Sequence, residues 1–235
     1  MEPRLLTLVD NVSLKPGLRS AWGLSILVDL PSIKMLFDVG PSFDLLLSNA
    51  EALSLNLSEL EAVFISHMHA DHVGALNGLL AYNPKLKVYL PDPKLKLAFV
   101  RSGFEAECLE EPAQIAEGVY ATGVLRGAID EQMLLIQAEG KTVMLTGCTH
   151  PGIKEALEAA IKASPTNSVY AVIGGLHIGS ASEALDAWAY MREVGVAVIS
   201  PCHCTSPLAK SMLAKLFAEG YVENGVGCEI RLNNI

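Results

Sequence analysis

Four times along this chain of 235 residues, an apolar run of strand length ends in a short loop bearing histidine, and a segment with helical spacing follows. Residues 63–65 lead to His67, His69 and His72, then to the helix-period stretch 75–80. Residues 142–145 lead to Cys148 and His150, then to 153–161. Residues 169–173 lead to His177 and 181–191, and residues 196–199 lead to His203 and 208–217. Strand-length runs alternating with helical periods predict an α/β fold. In such folds ligands gather where the carboxyl ends of strands open into loops. All six histidines follow an expected strand, a sorting that scattered core histidines would not show.

The remainder fits around these units. Residues 5–9, 24–30 and 34–37 are short apolar runs broken by Asn11, Pro16-Gly17, Pro31 and Gly40, which is turn chemistry between strands. A helical period starts at Ser42 and runs to 55–56. Between the first two histidine loops lie a strand at 86–90, a helix-like 93–100, and strands near 119–121 and 133–137. No linker or low-complexity tract divides the chain, so one domain over 1–235 is expected.

With 51% hydrophobic and 18% charged residues, a large buried core is available. The net charge of -9 leaves no basic stripe for phosphate backbones, so no nucleic-acid partner is expected. No apolar run is long enough to span a bilayer. Five cysteines in no regular framework, with no secretory leader pattern, point to reduced thiols and a cytoplasmic setting.

His67-Met68-His69-Ala70-Asp71-His72 is the most specific motif. His67 and His69 alternate in an extended segment, so both rings face one side. Asp71 and His72 follow at the turn into a helix. Three imidazoles and a carboxylate within six residues supply donors suited to zinc, manganese or iron.

That hexapeptide, preceded by Leu36-Phe37-Asp38-Val39-Gly40, resembles the metallo-β-lactamase superfamily. The resemblance implies a four-layer αββα sandwich with a dinuclear site at one edge of the two sheets. It implies that His67 and His69 hold one divalent ion, that Asp71 and His72 hold the second, and that Asp71 also serves in catalysis. Asp38 then fixes the metal loop through hydrogen bonds, or is a simple turn carboxylate. The superfamily's usual histidine loop is missing around 122–130, and Thr146-Gly147-Cys148 stands where T-G-D is usual. His150 is expected to replace the missing ligand, and Cys148 either ligates or lines the site. His203 matches the last ligand of the superfamily. His177 is a general acid, a substrate contact or a surface residue.

Further motifs narrow the resemblance: Thr146-Gly147-Cys148-Thr149-His150-Pro151-Gly152-Ile153, Gly174-Gly175-Leu176-His177 and His203-Cys204-Thr205. These are similar to a branch that includes a synthase joining a dihydropterin pyrophosphate to an arylamine ribotide. Its implied substrate is a small phosphorylated molecule, with the metal pair on the pyrophosphate. The alternative is a hydrolase of a small phosphoester or lactone using metal-bound hydroxide. That branch usually has glycine where this chain has Ser206, a change that alters the loop or only caps the next helix. Asn11, Trp22 and Arg126 are candidate substrate contacts. Their ordinary alternatives are a turn residue, a core aromatic and a solvated arginine. Oligomeric state is not readable from sequence.

Overall fold

The computed structural model describes residues 2–235, which fall into two compact units. The first comprises residues 2–110 and 225–234. It begins with an antiparallel meander of β1 (Arg4–Val9), β2 (Ser25–Asp29) and β3 (Lys34–Phe37). Helix α1 (Phe43–Ala52) leads to β4 (Ala62–Phe64), then α2 (Ala70–Val73), α3 (Leu76–Tyr82), β5 (Lys87–Tyr89), α4 (Pro93–Arg101) and β6 (Ala106–Glu107). Strands β3 to β6 are parallel, and the C-terminal strand Glu229–Arg231 adds antiparallel to β1.

One face of this sheet meets helices. Leu6 and Leu8 of β1, Leu27, Leu36, Val63 and Val88 cluster with Leu45, Leu46 and Ala50 of α1 and with Leu79 and Leu80 of α3. The period of two along the strands selects these side chains, and a bulge between Thr7 and Val9 brings Val9 into the same cluster. Leu79 is fully buried. Truncating such a leucine to alanine costs roughly 2–5 kcal/mol, so this packing dominates local stability.

The expected helix to 55–56 stops at Ala52. Ser54 takes φ +57, its N–H donates to the Glu51 carbonyl, and Leu55 N–H donates to Ala50. This is a Schellman stop with serine in the position glycine usually fills, so no glycine announces it. His72 lies in the single helical turn α2, the one histidine inside a helix.

The second unit comprises residues 111–224 with Ile235. Strands β7 (Ala113–Ala116), β8 (Val119–Leu125), β9 (Glu131–Ala138) and β10 (Lys141–Thr146) form an antiparallel run. Then α5 (Ile153–Ala163), β11 (Ala171–Gly175), α6 (Ala181–Glu193), β12 (Val198–Cys202) and α7 (Pro207–Phe217) alternate, and β10, β11 and β12 pair in parallel. Met144, Val172 and Ile199 pack on Leu157, Ala160, Ala184, Met191 and Leu213 from the three helices. Strand β11 ends two residues later than the β-branched signal, because Gly174 and Gly175 still pair with Thr146, Pro201 and Cys202. A Cβ on Gly174 would collide with the Thr146 carbonyl, and its φ is +127, so only glycine fits there.

Two mixed sheets flanked by helices are the α/β class that the sequence predicts. Among the described residues, no helix is long and apolar enough to cross a membrane.

Candidate functional site

In the first unit the H-x-H-x-D-H loop leaves the carboxyl end of β4. In His67 and His72 Nδ1 is tied to a neighbour and Nε2 faces another side chain of the loop. The buried His67 puts Nδ1 2.9 Å from Ser66 Oγ, and its Nε2 lies 3.0 Å from His69 Nδ1. His72, also fully buried, puts Nδ1 2.7 Å from the Asp38 carboxylate, leaving Nε2 3.8 Å from the Asp71 carboxylate. The rings of His67 and His72 are 4.1 Å apart.

Asp38 organises this loop. It has φ +56 and accepts from the Ser66 N–H and the Ser66 hydroxyl, each at 2.7 Å, besides facing His72. A buried carboxylate that anchors the far nitrogen of a histidine fixes tautomer and ring orientation, the usual support of a metal-ligating imidazole. A simple turn carboxylate would not make these contacts. The converging nitrogens and the Asp71 oxygen form a donor set that fits a divalent metal.

In the second unit the loop after β10 carries Cys148 and His150. Cys148 is 3% exposed. Glu131, at the start of β9 and fully buried, accepts from three successive backbone N–H groups there: Cys148 at 2.8 Å, Thr149 at 3.0 Å and His150 at 2.7 Å. Sequence reasoning missed Glu131, since its partners are backbone groups and leave no side-chain pattern.

The ring of His150 lies 5.0 Å from that of His177, in the loop after β11. His177 is exposed and its N–H donates to Cys204 Sγ at 3.2 Å. Ligand atoms of Cys148, His177 and Cys204 lie within 4.8 Å of one another. Cys204 was not among the sequence candidates, although it stands in the quoted His203-Cys204-Thr205. His203 follows β12 directly and is buried. All five cysteines are free thiols.

Left-handed backbone recurs at these positions: φ is +56 at Asp38, +59 at Thr149, +48 at His177 and +49 at His203. None is glycine, so each carries local strain that the surrounding hydrogen bonds must offset. Ser206 caps α7 by accepting from Ala209 N–H, with Pro207 as first helical residue, and its hydroxyl donates to Gly179. Its φ is -62, so no glycine is needed.

Asn11 accepts from Gly23 N–H at 3.3 Å, a loop-closing role. Trp22 is 63% exposed, which removes the core-packing alternative. Arg126 pairs with Asp130 at 2.6 Å on the surface, and that guanidinium holds the Asp130 carboxyl below its ordinary range.

Fold and donor set together define a class: the chain has the metallo-β-lactamase fold, a fold that implies divalent metal ions. It superimposes on Tm1679, a metal-dependent hydrolase of the β-lactamase superfamily, with TM-score 0.80 and 26% identity over 97% of this chain and 98% of that one. It also matches YhfI of Bacillus subtilis, a metallo-β-lactamase fold protein, at TM-score 0.68 and 16% identity, covering 98% and 99%. Within that class, it is 26% identical to the 7,8-dihydropterin-6-methyl-4-(β-D-ribofuranosyl)-aminobenzene-5'-phosphate synthase of Methanocaldococcus jannaschii, over 86% of this chain and 87% of that protein. Residues 19–101 match the family model described as anti-Pycsar protein Apyc1. The chain thus has the metallo-β-lactamase fold, and the relatives it resembles here, a synthase and a metal-dependent hydrolase, are enzymes.

Proposed function

We propose that this chain is a condensing enzyme that joins a dihydropterin bearing a pyrophosphate to an arylamine ribotide. The likeness to the synthase along most of both chains carries this reading. In the reaction the arylamine nitrogen attacks the pterin methylene carbon, the bond from that carbon to the pyrophosphate oxygen breaks, and the amine gives up one proton. Two divalent ions, zinc by donor type with manganese and iron also compatible, are proposed to be held by His67, His69, Asp71, His72, Cys148, His150 and His203. Such ions supply positive charge to the departing pyrophosphate. Asp38 and Glu131 keep the ligand loops in place. His177, exposed and with its ring against His150, is assigned to take the amine proton, with Asp71 as the second acid–base group. Asn11, Trp22 and Arg126 are proposed to reach the phosphorylated substrate.

The test is incubation of metal-loaded protein with the pterin pyrophosphate and the arylamine ribotide, following pyrophosphate release and the coupled product by mass. Absence of product from protein with full metal content overturns the reading. The likeness to Tm1679 favours a second reading, hydrolysis of a small phosphoester or lactone. Metal-dependent turnover of a chromogenic ester panel, without condensation, would select it.

A further inference from the structure

The second unit contains a cavity of about 580 Å³ whose lining includes His150 and His177. This volume is in the range of small-molecule sites, roughly 300–1,000 Å³. One wall is a single stripe of α6, in which Glu183, Asp186, Ala187 and Tyr190 recur at helical spacing. The opposite wall is the start of α5, with Ile153 and Lys154. Leu176 and Ile178, 3% and 5% exposed, form apolar floor.

The polar groups on these walls are not equivalent. Glu183 is consumed by the fold: its carboxylate accepts from Gly179 and Ser180 N–H in the capping box of α6. The α5 N-terminus is no anion site, because the Glu155 carboxylate sits against Gly152. Asp186 is different. It is exposed on the cavity wall, and its carboxylate makes no hydrogen bond or ion pair among the described residues. Lys154 lies 5.7 Å from the Tyr190 ring centroid, and outside the cavity lining Glu158 stands 4.0 Å from its ammonium and accepts from the Tyr190 hydroxyl at 3.3 Å, which holds an ammonium beside an aromatic face.

An apolar floor, one aromatic face, one carboxylate and one ammonium suit a flat heteroaromatic ring with an N–H edge next to a carbonyl. A carboxylate accepts two parallel N–H bonds, and an ammonium donates to a carbonyl. We infer that this cavity binds the 2-amino-4-oxopteridine ring of the substrate, with Asp186 accepting from the amino and ring N–H groups and Tyr190 packing on the ring. The inference rests on the synthase reading and names the subsite that reading lacks. It also places the reacting end of the pterin toward the His150–His177 pair.

The test uses full-length, metal-loaded protein titrated with 6-hydroxymethylpterin, read by the fluorescence of the pterin. Asp186→Asn and Tyr190→Ala alter partly exposed positions, and circular dichroism with elemental analysis checks fold and metal content. Each variant is expected to weaken pterin binding by about tenfold or more with metal content unchanged. No binding by the metal-loaded wild type, or equal binding by wild type and both variants, overturns the inference. Turnover separates it from the synthase reading. Condensation with an unchanged KM for the pterin in both variants sinks the cavity and leaves the synthase standing. Variant-sensitive pterin binding without any condensation supports the cavity and sinks the synthase.

Discussion

Glu131 Oε2 accepts the His150 N–H at 2.7 Å, and its other carboxylate oxygen accepts from Cys148 and Thr149. One fully buried carboxylate therefore holds three consecutive peptide groups of a loop whose Thr149 already takes a left-handed conformation. Glu131→Ala strands those donors. It is expected to lower stability by roughly 3 kcal/mol, since each buried group left unpaired costs about 1–3 kcal/mol and the loop relaxes in part. Denaturant unfolding reads this directly. An unfolding midpoint equal to wild type would remove the tether role.

Asp38 does the corresponding work in the first unit, through Ser66 and His72. Asp38→Asn keeps the size but presents an amide where two donors and an imidazole now converge. Metal affinity is expected to fall about 10- to 100-fold. Competition against a chelator measures it, and unchanged affinity would show that the Asp38–His72 contact does not orient a ligand.

His69 and His177 are predicted to separate. His69→Ala should remove bound metal and activity together, because its Nδ1 shares the inward face with His67 Nε2. His177→Ala should retain the metal and lose roughly 10²–10⁴-fold in turnover, the usual range for one acid–base group. Elemental analysis beside kinetics decides it: equal metal loss in both variants refutes the division.

Acid sensitivity is expected at the start of α6. The Gly179 and Ser180 N–H groups hold the Glu183 carboxyl below its ordinary value of 4.5. A lowered carboxyl stabilises the fold above its unfolded value, and that contribution disappears as the pH falls through the folded one. Thermal midpoints of the wild type should thus fall below about pH 4.5 more steeply than those of Glu183→Gln. Parallel curves for the two proteins would contradict the cap's role.

Side-chain patterns were the legible part of this molecule. The strand–histidine–helix units, the H-x-H-x-D-H loop and Asp38 in Phe37-Asp38-Val39-Gly40 could be read because each has a signature of residue types at fixed spacing. What could not be read depends on backbone or on distant pairing. Strand β12 runs on through Pro201, a poor strand former, to Cys202, and these two pair in parallel with Gly174 and Gly175, themselves poor strand formers. Glu131 looks like any charged residue at a strand end. The cavity stripe of α6 has the composition of a solvated helix face, and only the neighbouring start of α5 makes it a wall.

The turn between β9 and β10 sets an order of assembly. Glu139 and Gly140 have φ +49 and +75, a two-residue type I′ hairpin that pairs Ala138 with Lys141. This is a local contact with little loop entropy to overcome, whereas β11 and β12 reach the sheet only after whole helices have been traversed. Closing the hairpin brings Glu131 level with the far end of β10, where residues 148–150 emerge. The tether is therefore expected to be in place before the loops of His177 and His203 arrive. A nascent chain would acquire its His150 loop as an early, self-contained event, and the later crossovers would dock onto a segment whose shape is already set.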